Sequence, residues 1–276
     1  MKKDYTDLNI SIVLYKNSIE EICKLLNSLS NFNSKVFVID NSPTNILASS
    51  VKNYSFTTYI FNNKNLGYGS AHNIAIGKSI STNTKYHIVL NPDIEIDCKV
   101  IEQLVHFMDN NLDVGLCMPN IVYPDMKRQH LCKLLPTPFN LVFRRFFPFK
   151  SLISKYDNLF KLQDADYNNV FEVPSLSGCF MFLRTSILAK TGGFDERFFM
   201  YCEDIDLCRK TLKYSKSKYV PTSAVIHHYN KESYRSNRLL LFHLTSAIQY
   251  FNKWGWFLDK ERKEINKKTL KQLKLM

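Results

Sequence analysis

Four short apolar runs, each followed by a polar turn and most by a helical pattern, constrain this chain more than any other feature. Residues 10–15 (Ile-Ser-Ile-Val-Leu-Tyr), 35–40 (Lys-Val-Phe-Val-Ile-Asp), 59–61 (Tyr-Ile-Phe) and 86–90 (Tyr-His-Ile-Val-Leu) read as buried strands. Between and after them, residues 18–30, about 70–80 and about 98–109 carry apolar side chains at helical spacing or follow turn residues that open a helix. Near-continuous apolar strands alternating with helices predict an α/β chain whose parallel sheet is covered on both faces. In such sheets ligands bind beyond the carboxyl ends of the strands. Asp40 and Asp93 both stand at such ends, so two carboxylates are expected near one crevice.

The rest of the chain is less regular. Residues 173–183 predict a strand entered through a turn, 203–214 a helix with Glu203 and Asp204 in its first turn, and 219–227 a strand ending in His227-His228. Residues 236–258 predict an amphipathic helix, and the Lys-rich tail a frayed one. No internal repeat or clear linker breaks the 276 residues, which suit one large domain with a helical appendage.

Several clusters carry chemistry, each with a plainer alternative. Asn91-Pro92-Asp93, with Glu95 and Asp97 beyond, reads either as a rigid turn holding Mg2+ or Mn2+ against a diphosphate, or as a loop of solvated acids with Asp97 capping the next helix. Glu203-Asp204-Ile205-Asp206 reads either as a general base with a repelling neighbour, or as an acid-rich helix start. His227-His228 offers an imidazole to a divalent ion, or a hydrogen-bonded strand end. Asn65, Gly67 and Gly69 allow tight turns, but the segment is neither GxGxxG nor a Walker motif.

Charge narrows the partners. The chain carries 37 Lys and Arg against 25 Asp and Glu, a net +12. Residues 125–161 hold eight basic against two acidic residues, and 259–276 seven against three. Localised basic charge points to a polyanion: nucleic acid, an anionic membrane surface or a diphosphate-bearing substrate. Residues 139–150, with Phe side chains beside Arg144, Arg145 and Lys150, read either as a membrane-surface loop or as an apolar element packed on the core. Seven widely spaced cysteines without CxxC exclude a zinc knuckle or thioredoxin-like site and suit a reduced cytoplasm. Met1 to Asn9 contain no apolar stretch of a signal peptide, and no apolar run reaches 18 residues, so no membrane span is expected.

The ordered set of motifs resembles family two of the inverting glycosyltransferases, in its rhamnosyltransferase-like branch. The matching pieces are Ile12-Val13-Leu14-Tyr15, Val38-Ile39-Asp40-Asn41-Ser42, the run from Asn62 to Asn73, and Leu90-Asn91-Pro92-Asp93. Ser177-Gly178-Cys179-Phe180-Met181, the run from Gly192 to Phe199, Glu203-Asp204-Ile205-Asp206 and His227-His228 complete it, over about residues 10–235. The resemblance implies a GT-A fold: a Rossmann-like, mostly parallel central sheet flanked by helices, over 1–235. Its nucleotide-sugar half would span about 1–97 and its acceptor half 98–235, with 236–276 a helical extension packed on the latter. By likeness, Asp204 would be the catalytic base with Glu203 beside it. Tyr15, Asp40, Asn65, Gly67, Asn73, Asn91 and Asp93 would line the donor site, and Asp93 with His227, or alternatively His228, would hold Mg2+ or Mn2+. Asn91 departs from the usual first acid of the DxD motif. Arg209 and Lys210 are candidates for an acceptor phosphate, unless Arg209 simply pairs with Asp206.

The implied reaction moves a sugar, rhamnose from dTDP-rhamnose foremost, onto a glycan or polyprenyl-diphosphate-linked acceptor in bacterial surface polysaccharide (O-antigen or capsule) synthesis. The enzyme would sit in the cytoplasm, peripheral to the inner face of an anionic membrane. UDP-sugar donors such as galactofuranose, glucose or galactose, and a non-catalytic glycan- or nucleotide-binding relative, are the competing implications. A nucleic-acid-binding protein is disfavoured by the strand-end carboxylates and by the lack of a recognised module.

Overall fold

In chain order the elements begin with β1 (Lys3–Leu14), α1 (Ile19–Leu29), β2 (Phe32–Asp40), α2 (Ala48–Lys52), β3 (Thr57–Phe61), α3 (Tyr68–Ser81) and β4 (Tyr86–Leu90). Next come β5 (Ile94–Glu95), α4 (Cys98–Asn110), β6 (Val114–Met118), β7 (Ile121–Val122), β8 (Cys132–Lys133), α5 (Pro138–Leu141) and α6 (Lys150–Phe160). Then follow β9 (Phe171–Glu172), β10 (Ser175–Leu176), β11 (Phe180–Arg184), α7 (Thr185–Thr191), α8 (Glu203–Thr211), β12 (Lys216–Tyr219) and β13 (Val225–His227). Two helices close the chain, α9 (Asn237–Trp254) and α10 (Lys260–Gln272). This computed structural model describes residues 3–142, 150–229 and 237–276. Arg144 and Arg145 lie outside the described residues, as does the side chain of Lys150.

The main sheet has eight strands in the order β3-β2-β1-β4-β11-β6-β12-β9. β1 pairs in parallel with β2 and β4, β2 with β3, and β6 with β12. β11 lies antiparallel between β4 and β6, so the sheet is mixed at its centre rather than wholly parallel. Every residue of β4 and β6 is buried, as apolar strands covered on both faces require. Helices α1 and α4 turn Ile22, Leu25, Leu26, Val100, Ile101 and Leu104 into the core, and are capped by Ser18 and Asp97. The GT-A arrangement of a central sheet flanked by helices therefore stands.

Two expectations are corrected. Residues 219–227 form two strands, not one. Pro221 has no N–H for a ladder, and the chain leaves the main sheet at Val220 before β13 joins a small sheet, β5-β13-β7. The Lys-rich tail is the ordered helix α10, not a frayed one. Gly255, at φ +99°, ends α9 by donating its N–H to the Phe251 carbonyl at 2.8 Å. Asp259 then caps α10 through the Arg262 N–H at 2.9 Å.

Candidate active site

The small sheet brings the two halves of the chain together. His227 pairs with Ile94 in β13–β5, and the His228 N–H donates to the Asp93 carbonyl at 2.9 Å. The His227 side chain thereby meets Asp93, with Nε2 3.3 Å from Oδ1. His228 instead turns outward to Glu95, which Lys24 also reaches. Gln129 fixes the inner imidazole. Its Nε2 donates to the His227 carbonyl at 2.8 Å, which leaves Oε1 to accept from His227 Nδ1 at 2.8 Å. The Nε2 of a neutral His227 is then an acceptor aimed at Asp93.

Both Asp93 Oδ1 and His227 Nε2 are buried without a well-aligned hydrogen-bond partner. Burial opposes the charged imidazole, but hydrogen bonds and charge from Asp93 and Cys179 outweigh it and push the His227 pKa up to about 10. Burial likewise opposes the Asp93 carboxylate, and His227 and the Asn91 side chain outweigh it, lowering its pKa. Two orphaned buried ligand atoms facing each other, one imidazole tautomer held by a second residue, fit a divalent ion held by an oxygen and a nitrogen. Binding it would displace the proton that His227 otherwise holds. Among the described residues no group of three or more His, Cys, Asp or Glu is arranged to hold a metal.

Tyr68 joins this pair to the acids of α8. It opens α3 after Gly67, whose φ of +86° and lack of a Cβ let the Phe199 carbonyl come close; a Cβ there would sit 2.3 Å from that oxygen. The Tyr68 N–H donates to the Phe199 carbonyl at 2.9 Å. Its hydroxyl donates to the Gly178 carbonyl at 2.6 Å and lies 3.1 Å from Asn91 Oδ1. Burial first, then the negative fields of Glu203, Cys179, Asp204 and Asp93, raise its pKa well above the ordinary phenol value. Through Gly178, whose N–H holds Asp204, and Asn91, two residues before Asp93, this hydroxyl links segments far apart in sequence.

Glu203 and Asp204 differ in environment. They follow Tyr201 and Cys202, two successive non-glycine residues at φ +71° and +64°, a left-handed pair that re-aims the chain into α8. Glu203 is buried with Oε2 unpartnered, and burial plus the neighbouring Asp204 charge raise its pKa well above normal. Asp204 is half-buried, accepting from the Gly178 N–H at 2.9 Å through Oδ2 and from the Ile205 N–H at 2.8 Å through Oδ1. The accessible carboxylate is therefore Asp204, the one suited to take a proton.

Other sequence candidates fall differently. Asn65 shapes the turn before α3, its Oδ1 accepting from the Gly67 N–H at 2.9 Å. Tyr15 is exposed beside the β1 end. Asp40 is fully buried, and its oxygens accept from the Ser42 N–H at 2.8 Å and the Tyr59 hydroxyl at 2.6 Å, so here it braces its own loop. Asn73 clasps the backbone of Phe194, donating to its carbonyl and accepting from its N–H, both at 2.9 Å. Arg209 pairs neither with Asp206 nor outward: it is 2% exposed, bound to Asp259 at 2.6 and 2.8 Å and to Glu261 at 2.7 Å. Lys210 donates to the Thr191 and Gly193 carbonyls and stands 3.7 Å from Asp206. Asp206 itself is held by Lys253 and by the Trp254 indole N–H at 2.7 Å. Sequence reading missed Tyr68 and Gln129 as site-builders. Tyr68 stands inside the Asn65-to-Asn73 motif, whereas Gln129 carries no local signal.

Comparisons with known proteins show the family and the fold. The model of the glycosyl transferase family 2 matches residues 11–191. Rhamnosyltransferase WbbL of Escherichia coli is 27% identical over 258 residues, spanning 87% of this chain and 92% of its own. The N-acetylglucosaminyl-diphospho-decaprenol L-rhamnosyltransferase of Mycobacterium tuberculosis is 29% identical over 207 residues, 70% of this chain and 66% of its own. A crystal structure of GalNAc-T7 with UDP, GalNAc and Mn2+ superposes at a TM-score of 0.63 and 14% identity, covering 81% of this chain and 44% of that one. At that identity the likeness is one of fold.

Proposed function

The chain belongs to glycosyl transferase family 2, a glycosyltransferase, and from that premise we propose that it moves one sugar with inversion from a nucleoside diphosphate to an acceptor hydroxyl. The observation that carries this reading is the junction at Tyr68, whose hydroxyl touches both Gly178, whose N–H holds Asp204, and Asn91, two residues before the Asp93 that faces His227. Asp204 accepts the proton of the attacking hydroxyl, and the Gly178 N–H holds its carboxylate in place. Burial, and then the Asp204 charge, push the Glu203 carboxyl toward its neutral form beside that base. Asp93 and His227 would hold a divalent ion, Mg2+ or Mn2+, which would supply positive charge toward a departing diphosphate. Gln129 keeps His227 in the tautomer that such an ion needs.

Rhamnose from a dTDP donor is the first choice of substrate, supported by two relatives named as rhamnosyltransferases. The mycobacterial relative is named for a decaprenyl-diphosphate-linked sugar, which supports a polyprenyl-diphosphate-linked acceptor; with such an acceptor, we infer a role in bacterial surface polysaccharide synthesis. The UDP and Mn2+ in the GalNAc-T7 structure support a nucleotide-sugar donor and a divalent ion, and keep UDP-sugars as the second choice. No helix among the described residues is long and apolar enough to cross a membrane, so we take the chain to meet its lipid-linked acceptor from the bilayer surface. Incubation with a panel of dTDP- and UDP-sugars, with and without Mn2+ or Mg2+, tests the reading. Metal-dependent release of dTDP from dTDP-rhamnose is expected; release from none of the donors contradicts it.

A further inference from the structure

The turn between α9 and α10 presents apolar side chains to solvent. Phe257 is 66% and Leu258 92% exposed. The turn is nonetheless tied down. Trp256 packs its ring 5.2 Å from that of Phe251 and donates its indole N–H to Asn252. The Trp256 carbonyl accepts from Arg262 at 3.1 Å, and Asp259 caps the following helix. A polar residue would suit either position at the tip of a solvated turn. Two adjacent large apolar groups on a braced turn form a fixed protrusion instead.

Helix α10 adds charge beside it. Lys260, Lys263, Lys267 and Lys271 recur at spacings of three, four and four, which puts them within about 80° of the helix circumference and along about 16 Å. All four are exposed, and none has an ion pair among the described residues. The opposite face holds α10 to the body: Asn266 donates to the Leu135 carbonyl and accepts its N–H, both at 2.9 Å, while Arg262 and Thr269 are buried. Glu261 and Glu264 are exposed acids of the same helix. On the flank, Glu261 is bound to Arg209 and Lys268 lies 3.3 Å from Glu172.

We propose that the Phe257-Leu258 tip and the α10 lysine row together form the surface that docks this enzyme on an anionic lipid bilayer, the tip entering the headgroup layer and the lysines meeting lipid phosphates. The proposal deepens the reading that the acceptor is lipid-linked, and rests on it for the reason to dock. Apolar insertion and a row of unpaired lysines are the two signals that reversible surface binding combines. The most exposed group is the aliphatic Leu258, which offers a nucleic-acid base neither a stacking face nor a hydrogen bond, so a bilayer is favoured over RNA.

Flotation of the full chain with phosphatidylcholine vesicles, with and without phosphatidylglycerol, tests this. Wild type is expected to float with the anionic vesicles, less so as salt rises. F257S/L258S is expected to lose about tenfold or more in vesicle affinity. K260Q/K263Q/K267Q/K271Q is expected to lose roughly fivefold per lysine and to flatten the salt dependence. Both variants should release nucleotide from the donor at the wild-type rate. If wild type floats and both variants float equally well, docking uses another surface and the proposal fails while the lipid-linked acceptor reading stands. If wild type does not float yet transfers sugar to a detergent-solubilised polyprenyl-linked acceptor, the proposal again fails alone. Failure of both flotation and that transfer removes the two together. Tighter binding of an RNA oligonucleotide that competes with vesicles also overturns it.

Discussion

Replacing Asp259 by Ala is expected to unsettle the chain far more than its place near the C-terminus suggests. Asp259 is 5% and its partner Arg209 2% exposed, and they share a bidentate contact of 2.6 and 2.8 Å. Removing one member of such a pair strands a desolvated charge, at a cost of about 3–5 kcal/mol. Loss of the α10 cap adds about 1 kcal/mol. Glu261 still reaches Arg209 at 2.7 Å from an exposed position, which returns part of that loss. The net expectation is about 3–5 kcal/mol, a large fraction of the ~5–15 kcal/mol that stabilises a domain. Equilibrium urea unfolding measures it. At about 2–3 kcal/mol per molar, the midpoint should fall by more than about 1 M. Arg209→Met combined with Asp259→Ala removes the stranded charge and should be more stable than Asp259→Ala alone. A loss below about 1 kcal/mol for the single variant, or a double variant as unstable as the sum of the singles, would refute the reasoning.

Three further outcomes are expected. His72 and His87 are buried around Ser11, at 2.7 and 2.9 Å from its hydroxyl, and burial lowers both pKa values, that of His87 to about 3. The unfolded chain binds protons that the native state excludes, so stability is full above about pH 6.5 and falls below it by about 1.4 kcal/mol per pH unit for each group; a urea midpoint constant from pH 7 to 5 would contradict this. Gly67→Ala forces a Cβ to 2.3 Å from the Phe199 carbonyl at a positive φ, and should cost about 1–3 kcal/mol or more by thermal unfolding. Gln129→Leu frees the His227 tautomer and should weaken Mn2+ binding, read by calorimetry on the nucleotide-bound protein, roughly 10–100-fold; unchanged affinity would argue that Gln129 does no more than brace β13.

The parts of the fold that could be read from sequence were those written locally. The runs around Ile12, Val38 and Ile88 are apolar enough to be strands buried on both faces, and Asp40 and Asp93 mark their ends. The antiparallel insertion of β11 was not legible, because Phe180 to Leu183 is as apolar as any parallel strand. Helix α10 was misread as frayed because its buried residues are Arg262 and Thr269, and Arg262 and Asn266 find their partners in the distant backbone of Pro136 and Leu135, which no local pattern shows. Arg209 could not be assigned from its neighbours, since its carboxylates lie 50 and 52 residues away. The partners that Asp40 and Asn73 take within the chain, the Tyr59 hydroxyl and the Phe194 backbone, lie 19 and 121 residues away and carry no local signal.

The most direct test of the central claim is the rate of sugar transfer by Asp204→Asn, with nucleotide affinity measured on the same protein. Asp204 is the accessible carboxylate of the pair, and loss of a general base costs typically 10²–10⁴-fold. A loss on the order of 10²–10⁴ in transfer rate with nucleotide binding retained is the expected result. Transfer at the wild-type rate would contradict the assignment of Asp204 and the single-displacement reaction built on it.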